Sequence, residues 1–223
     1  MATNRKIVFK NEEIYHIFNR GVERREIFTN SKEFSRMLEL IKFYRFSYTP
    51  IRYSQFLLLP KERQDQILDM FKKNEVLVEI IAFCLMPNHF HFIIKQRLEK
   101  GITTFMANIS NSYAKYFNTK NDRVGPLFQG AFKAVYIETD EQLIHLSRYI
   151  HLNPVVSSVI DASELNHYRW SSYFNYISKI ESEFILSNMV LNMFKSQKDY
   201  EKFVLDQIDY GKKLEIIKHL ALE

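Results

Sequence analysis

The chain has 223 residues, of which 46% are hydrophobic and 26% charged, a composition typical of a soluble globular protein with one large domain. Its formal net charge of +5 is mild and only hints at a polyanionic partner. The single cysteine, Cys84, excludes an intramolecular disulfide and a cysteine-rich zinc site. The first ten residues lack the apolar centre of a signal peptide and no apolar run is long enough to span a bilayer, so the sequence predicts a cytoplasmic protein.

The hydrophobic pattern predicts alternating strands and helices in a defined order. In chain order they are a strand, a helix, a hairpin, a helix, a strand and a further helix, at residues 14–19, 31–46, 76–86 with 89–95, 102–117, 132–137 and 140–153. This is the order of a ferredoxin-like antiparallel sheet, an α+β fold in which the first and third strands are central neighbours. The last of these helices would be an addition to that fold.

Two segments stand outside this pattern. Residues 47–75 are predicted to be an insertion or lid, with a short helix that Pro60 opens and that runs through Phe71. Residues 178–223 are predicted to form two or three helices packed on the body, as a C-terminal extension of a domain that covers residues 1–177.

His89 and His91 form the most informative motif of the chain. They follow the turn signal Pro87-Asn88 at the start of a predicted strand, so both side chains point to the same face of the sheet. Two imidazoles in this arrangement are able to hold a divalent metal if a third ligand comes from elsewhere. The alternative is a pair of unrelated surface or core histidines.

A second group lies on the additional helix, where Tyr149 and Asn153 are four residues apart and share a face. An asparagine carbonyl oxygen is a metal ligand, and a tyrosine hydroxyl is a nucleophile when its electrophile is activated by other means. The alternative is a tyrosine packed in the core and an asparagine at a helix end that precedes proline.

Four segments occur in the order of a known family: residues 86–91 (MPNHFH), 125–133 (GPLFQGAFK), 148–155 (RYIHLNPV) and 170–173 (WSSY). Together they resemble the single-tyrosine HUH transposases, and specifically the REP-associated tyrosine transposase branch. The resemblance covers roughly residues 14–176. It implies that His89, His91 and Asn153 bind Mg²⁺ or Mn²⁺ and that Tyr149 is the catalytic nucleophile.

The resemblance also implies a reaction and a substrate. Tyr149 would attack a backbone phosphate of single-stranded DNA with hairpin repeats and form a 5′-phosphotyrosine, and a later strand transfer would rejoin the DNA. The enzyme would act as a monomer or a homodimer. His145, four residues before the tyrosine, would orient the tyrosine side chain. Glu138 would support the site by contacting one of its residues rather than the metal.

The positive excess is concentrated at residues 95–136, where seven basic side chains stand against two acidic ones. We expect DNA contacts from eight polar and basic residues: Asn19, Arg20, Arg24, Arg25, Lys115, Lys120, Arg123 and Lys133. Tyr116 is a candidate for base stacking, whereas Tyr113 lies on the apolar helical stripe and is expected in the core. For each basic residue the alternative is an ordinary solvated side chain.

Three other functions compete with a nicking and joining transposase. A domesticated protein of the same fold would bind DNA hairpins without moving them. A ferredoxin-like RNA-binding domain would expose aromatic residues on its central strands, where this chain has histidines. A hydrolytic metalloenzyme would need a carboxylate in the position of a general base, and the sequence indicates none.

Overall fold

The structure, a computed structural model, describes residues 7–178, 182–209 and 211. The chain divides into two compact units. The first unit comprises the described residues through 79 together with 87–89 and 94–136, and the second comprises 80–86, 90–93 and the described residues from 137 onward.

Four strands form one sheet: β1 (Ile14–Arg20), β2 (Val78–Met86), β3 (His89–Gln96) and β4 (Lys133–Ile137). Their order in the sheet is β2-β3-β1-β4, so the first and third strands are central neighbours. The predicted α+β, ferredoxin-like antiparallel sheet is confirmed. Each strand begins and ends within two residues of its predicted bounds. β1 alternates between buried and half-buried residues, whereas β2 and β3 are apolar runs separated by the Pro87-Asn88 turn.

Helices α1 (Ser31–Tyr44) and α4 (Gly101–Lys120) pack against each other in the first unit. Each presents a fully buried apolar stripe, as its 3.6-residue periodicity predicts. The N-cap of α1 is Asn30, whose side chain accepts a hydrogen bond from the Glu33 backbone N–H.

The segment after α1 contains α2 (Tyr53–Phe56) and α3 (Lys61–Lys72), with Pro60 as the N-cap of α3. The short helix α2 was not predicted. Both helices pack on α1 through one aromatic cluster, in which the Phe43 ring lies 5.1 Å from the Tyr53 and Phe56 rings and 5.0 Å from the Phe71 ring. The segment is therefore anchored on the core of the first unit.

The second unit contains α5 (Asp140–Val156), α6 (Tyr173–Ile177), α7 (Asn188–Leu191) and α8 (Gln197–Leu205). Thr139 caps α5, since its side chain accepts a hydrogen bond from the Gln142 N–H. The expected end of this helix near residue 153 was wrong, because α5 continues past Pro154 to Val156. Its last turn is satisfied by hydrogen bonds from Ser157 to the Asn153 carbonyl and from Val159 to the Pro154 carbonyl, both 2.9 Å long.

The outer edge of β2 is covered by later parts of the chain. Leu85 donates its N–H to the Trp170 carbonyl over 2.8 Å, and Leu186 donates to the Ile80 carbonyl over 2.8 Å. The described part of the C-terminal segment thus pairs with the sheet edge in addition to forming the helices α7 and α8, while residues 179–181, 210 and 212–223 lie outside the described residues. None of the helices in the described part of the chain is long and apolar enough to cross a membrane.

Candidate active site

His91 and Tyr149 lie against each other in the second unit. Their ring centroids are 5.5 Å apart and their planes meet at 85°, so the edge of one ring contacts the face of the other. The His91 side chain is 7% exposed and the Tyr149 side chain is 43% exposed. The tyrosine is therefore accessible to a large substrate while it touches a histidine of the predicted metal site.

Asn153 lies one helical turn after Tyr149 on α5 and is buried, with 5% exposure. A spacing of four residues on a continuous helix places both side chains on one face. Because α5 runs to Val156, Asn153 is within the helix rather than at a frayed end. Its position is consistent with the predicted ligand role.

His89 is held by the residue before it. The His89 Nδ1 atom lies 2.6 Å from the Asn88 Oδ1 atom, so the ring donates its Nδ1 proton to the amide oxygen. A proton fixed on Nδ1 leaves the lone pair on Nε2, the nitrogen that a metal would take. His89 and His91 are two residues apart on β3, and strand alternation places them on the same face.

Asn88 also connects this turn to the basic loop that follows β1, all within the first unit. Its backbone carbonyl accepts from the Gly21 N–H over 2.8 Å, and its amide nitrogen donates to the Arg24 carbonyl over 3.4 Å. A side chain at Gly21 would place its Cβ 2.3 Å from the Arg25 carbonyl oxygen, so the close approach requires glycine. Asn88 is a positioning residue that sequence reasoning missed, although it stands inside the recognised motif.

His151, which lies between Tyr149 and Asn153 in sequence, is fully buried. Its Nδ1 atom lies 2.7 Å from the Tyr200 hydroxyl and its Nε2 atom lies 2.8 Å from the Ser172 hydroxyl. Burial lowers the pKa of His151 to about 3, so the ring is neutral at physiological pH. Both ring nitrogens have hydrogen-bond partners, so His151 is a packing residue of the second unit.

The two residues expected to support the tyrosine each make a hydrogen bond with another residue at or near α5. His145 accepts a hydrogen bond at Nδ1 from the Arg148 guanidinium over 2.8 Å. Glu138 is exposed, and its backbone N–H donates to the Gln142 side chain over 2.8 Å. Their predicted roles stay predictions.

The polar residues at the end of β1 and in the loop that follows it differ in their environments. Asn19 is buried, and its amide nitrogen donates to the Gly130 carbonyl over 3.2 Å, which indicates a structural part. The Arg20 guanidinium donates to the Gln129 side chain, and Arg25 is paired with Glu23 at 2.8 Å. Arg24 is exposed at a left-handed backbone position, with φ of 57°.

The basic residues of the 95–136 segment also differ in their environments, since some are paired and others are exposed. The Lys120 ammonium lies 2.7 Å from the buried Glu33 carboxylate, and Arg123 donates to the Asn118 side chain over 2.8 Å. Lys115 and Lys133 are exposed. Tyr113 is fully buried and its hydroxyl donates to the Ile27 carbonyl, as expected for a core residue.

Comparison with known proteins supports the resemblance that the motifs indicate. Residues 51–153 match a family model described as transposase IS200 like, and the matched segment contains His89, His91, Tyr149 and Asn153. It begins at residue 51 and thus includes most of the segment that we expected to be an insertion. No curated protein matches the chain.

One solved structure shows a related fold. The structure of a REP-associated tyrosine transposase bound to a REP hairpin aligns with a TM-score of 0.51 at 16% identity, over 80% of this chain and 87% of that one. A transposase structure from Deinococcus radiodurans R1 aligns with a TM-score of 0.36 at 13% identity, over 67% of this chain and 95% of that one. The predicted resemblance to the single-tyrosine transposases is confirmed, and a transposase-type function is supported.

Proposed function

We propose that this protein is a metal-dependent nicking and joining enzyme that acts on single-stranded DNA. The observation that carries the proposal is the contact between the buried His91 ring and the half-exposed Tyr149 ring, with Asn153 one helical turn further on. A nucleophile and a metal-ligating histidine must both reach one phosphate, and the contact between these two rings supports that arrangement.

The donor set suits Mg²⁺ or Mn²⁺. His89, His91 and Asn153 supply two imidazole nitrogens and an amide oxygen, a borderline-to-hard set that leaves coordination positions for phosphate oxygens and water. The described residues contain no cluster of three or more His, Cys, Asp or Glu that would suit a metal, so the proposal depends on the asparagine as third ligand. When bound, the ion would polarise a phosphate oxygen and neutralise its charge.

The reaction is a transesterification. The Tyr149 oxygen forms a bond to phosphorus while the bond from phosphorus to the 3′ oxygen breaks, which leaves a 5′-phosphotyrosine and a free 3′-hydroxyl. The tyrosine proton is lost and the departing oxygen gains one, so no net proton is consumed. Attack by another 3′-hydroxyl reverses the step and joins the strands. The partial exposure of Tyr149 allows a phosphate to approach this side chain, which lies against the His91 ring.

We further propose that the substrate contains hairpin repeats. Support comes from the fold shared with the hairpin-bound transposase and from exposed cations in the first unit, Arg24 and Lys133. Contacts from such cations to phosphates set affinity rather than sequence choice.

A gel assay tests the proposal. The protein is incubated with end-labelled hairpin DNA that carries single-stranded flanks, with Mn²⁺ or with a chelator, and covalent products are separated under denaturing conditions. We expect a protein-linked DNA band that requires Mn²⁺ and is absent in Tyr149→Phe. Tyr48→Phe is the matched control, since Tyr48 is an exposed tyrosine of the first unit and its variant should form the band.

Two results would contradict the proposal. A band that persists in Tyr149→Phe would refute the nucleophile. Tight hairpin binding by the wild-type protein with no covalent band and no strand cleavage would favour the domesticated DNA-binding protein instead.

A further inference from the structure

A cleft of about 890 Å³ opens on the helical side of the first unit. Its walls come from α1, α2 and α4, and the side chains that define its chemistry are Arg36, Arg52, Asn108, Asn111, Lys115 and Tyr116. We refer to it as the α1–α2–α4 cleft. None of its lining residues is His91, Tyr149 or Asn153, so a ligand in this cleft would use a different set of side chains from the candidate active site.

The charge of the cleft is positive. Four cations line it, at residues 36, 52, 115 and 120, and no acidic side chain is among the lining residues. Lys120 is neutralised by the buried Glu33 carboxylate, and Glu39 lies nearby because it accepts a hydrogen bond from the Tyr53 hydroxyl over 2.9 Å. In the described part of the chain, Arg52 and Lys115 take part in no ion pair. Their charges are available for an anionic ligand.

An aromatic platform lies beside these charges. The Arg36 guanidinium carbon lies 4.7 Å from the centre of the Tyr116 ring and 5.1 Å from the centre of the Tyr53 ring. Planar guanidinium groups and tyrosine rings are the surfaces on which unpaired bases stack. Two exposed leucines of the α2 segment, Leu57 and Leu58, add apolar surface at the rim.

Amide side chains complete the lining. Asn108 and Asn111 are three residues apart on α4, so they lie on the same side of the helix. Each amide offers donors and an acceptor, which suits the hydrogen-bonding edge of a base. Cations for phosphates, a platform for stacking and amides for base edges are the combination that single-stranded nucleic acids require. An acidic peptide would contact the cations but would not need the aromatic platform or the amide side chains.

We propose that the α1–α2–α4 cleft binds a short unpaired DNA segment, of about one or two nucleotides given the size of ordinary ligand pockets. In this arrangement Arg52 and Lys115 contact phosphates, and a base stacks on the platform of Arg36 and Tyr116. The inference rests on the proposed function for the identity of the nucleic acid, namely single-stranded DNA that flanks a hairpin. Binding in the cleft needs neither Tyr149 nor a metal.

The test measures DNA binding by fluorescence anisotropy, with the full chain, a labelled oligothymidylate, a chelator to prevent cleavage, and a series of salt concentrations. Lys115→Ala should weaken binding and lower the dependence of log affinity on log salt by about 0.7, the value for one lost phosphate contact on a single strand. Tyr116→Leu should weaken binding by about 5- to 100-fold through loss of stacking.

Lys61→Ala is the matched control. Lys61 is an exposed lysine on α3 that is paired with Asp65 at 2.8 Å and does not line the cleft. Lys61→Ala lowers the net charge of the protein by the same amount as Lys115→Ala. Its variant should bind as the wild-type protein does. Equal losses in Lys61→Ala and Lys115→Ala, or unchanged affinity and salt dependence in Lys115→Ala, would overturn the proposal, and so would competition by blunt duplex DNA as effective as that by single strands.

The outcome is separable from that of the proposed function. If Lys115→Ala binds oligothymidylate more weakly but the wild-type protein forms no covalent band in the gel assay, the cleft is a DNA site and the nicking reaction is refuted. A covalent band of normal intensity in a Lys115→Ala protein with unchanged oligothymidylate affinity would refute the cleft alone. If Tyr116→Leu fails to fold, the exposed Lys115 variant decides the question by itself.

Discussion

Lys120, one of the predicted DNA contacts, is the counter-ion of a buried carboxylate in the structure. Glu33 is fully buried, and its carboxylate accepts hydrogen bonds from the Thr29 N–H at 2.7 Å, the Thr29 hydroxyl at 2.9 Å and the Lys120 ammonium at 2.7 Å. Burial alone would raise the pKa of Glu33, but the bonds from Lys120 and Thr29 outweigh it and hold the pKa below its ordinary value. We therefore predict that Lys120→Met destabilises the protein.

The magnitude follows from the environment of the pair. Removing one partner of a buried ion pair costs about 3–5 kcal/mol because the other charge is left without compensation. The Lys120 side chain is 35% exposed, so water partly replaces the lost ammonium and Thr29 retains its two bonds. We expect a loss of about 2–3 kcal/mol in the free energy of unfolding.

Urea unfolding followed by circular dichroism measures this loss. Lys115→Met is the matched control, because Lys115 is exposed on the same helix and its loss should change stability by less than about 0.5 kcal/mol. The double variant Glu33→Gln/Lys120→Met should recover most of the loss, since it removes the buried charge as well. A loss in Lys120→Met no larger than that in Lys115→Met would refute the reasoning.

The sign of the pH dependence provides a second check on the same pair. Because the pKa of Glu33 is lower in the folded state than in the unfolded state, its contribution to stability is present above the unfolded pKa and is lost as the pH falls through the folded pKa. The difference in stability between the wild-type protein and Lys120→Met should therefore shrink on acidification.

Three further predictions concern the candidate site and its surroundings. Asn88→Ala should weaken Mn²⁺ binding by about 10- to 100-fold in calorimetric titration, because His89 loses the partner that fixes its Nδ1 proton, whereas unchanged affinity would exclude this role. His91→Gln should reduce Mn²⁺ affinity. His151→Gln should leave Mn²⁺ affinity unchanged and lower the free energy of unfolding by about 1–3 kcal/mol, because the hydrogen bonds to Tyr200 and Ser172 are lost. Reduced Mn²⁺ affinity in His151→Gln but not in His91→Gln would show that His151 is the ligand. Gly21→Ala should cost about 1–3 kcal/mol in urea unfolding because its Cβ meets the Arg25 carbonyl, and a neutral result would show that the loop adapts.

The sheet was predictable because its signals are local. Apolar runs bounded by turn signals indicate the strands, and their order along the chain indicates the ferredoxin-like arrangement with β1 and β3 adjacent. Helix ends were less predictable. Asn30 and Ser31 are both good N-caps, and the choice depends on which side chain reaches the Glu33 N–H. The end of α5 was predicted too early, because the backbone N–H groups of residues 157–159 donate hydrogen bonds to the carbonyls of residues 153–155.

The candidate site was predictable only in part. Strand and helix spacing place His89 with His91 and Tyr149 with Asn153, but the link between the two groups came from the resemblance to a family. The pairing of Lys120 with Glu33 joins residues 87 positions apart, and no local pattern indicates it. The same limit applies to His151, whose partners Ser172 and Tyr200 are distant in sequence.

The central claim is that the Tyr149 oxygen becomes covalently bonded to DNA. The most direct measurement is mass spectrometry of the protease-digested and nuclease-digested covalent product formed with Mn²⁺ and hairpin DNA. The account predicts a nucleotide attached through a 5′-phosphate to the peptide that contains Tyr149. A nucleotide attached to any other tyrosine, or attachment through a 3′-phosphate, would contradict it.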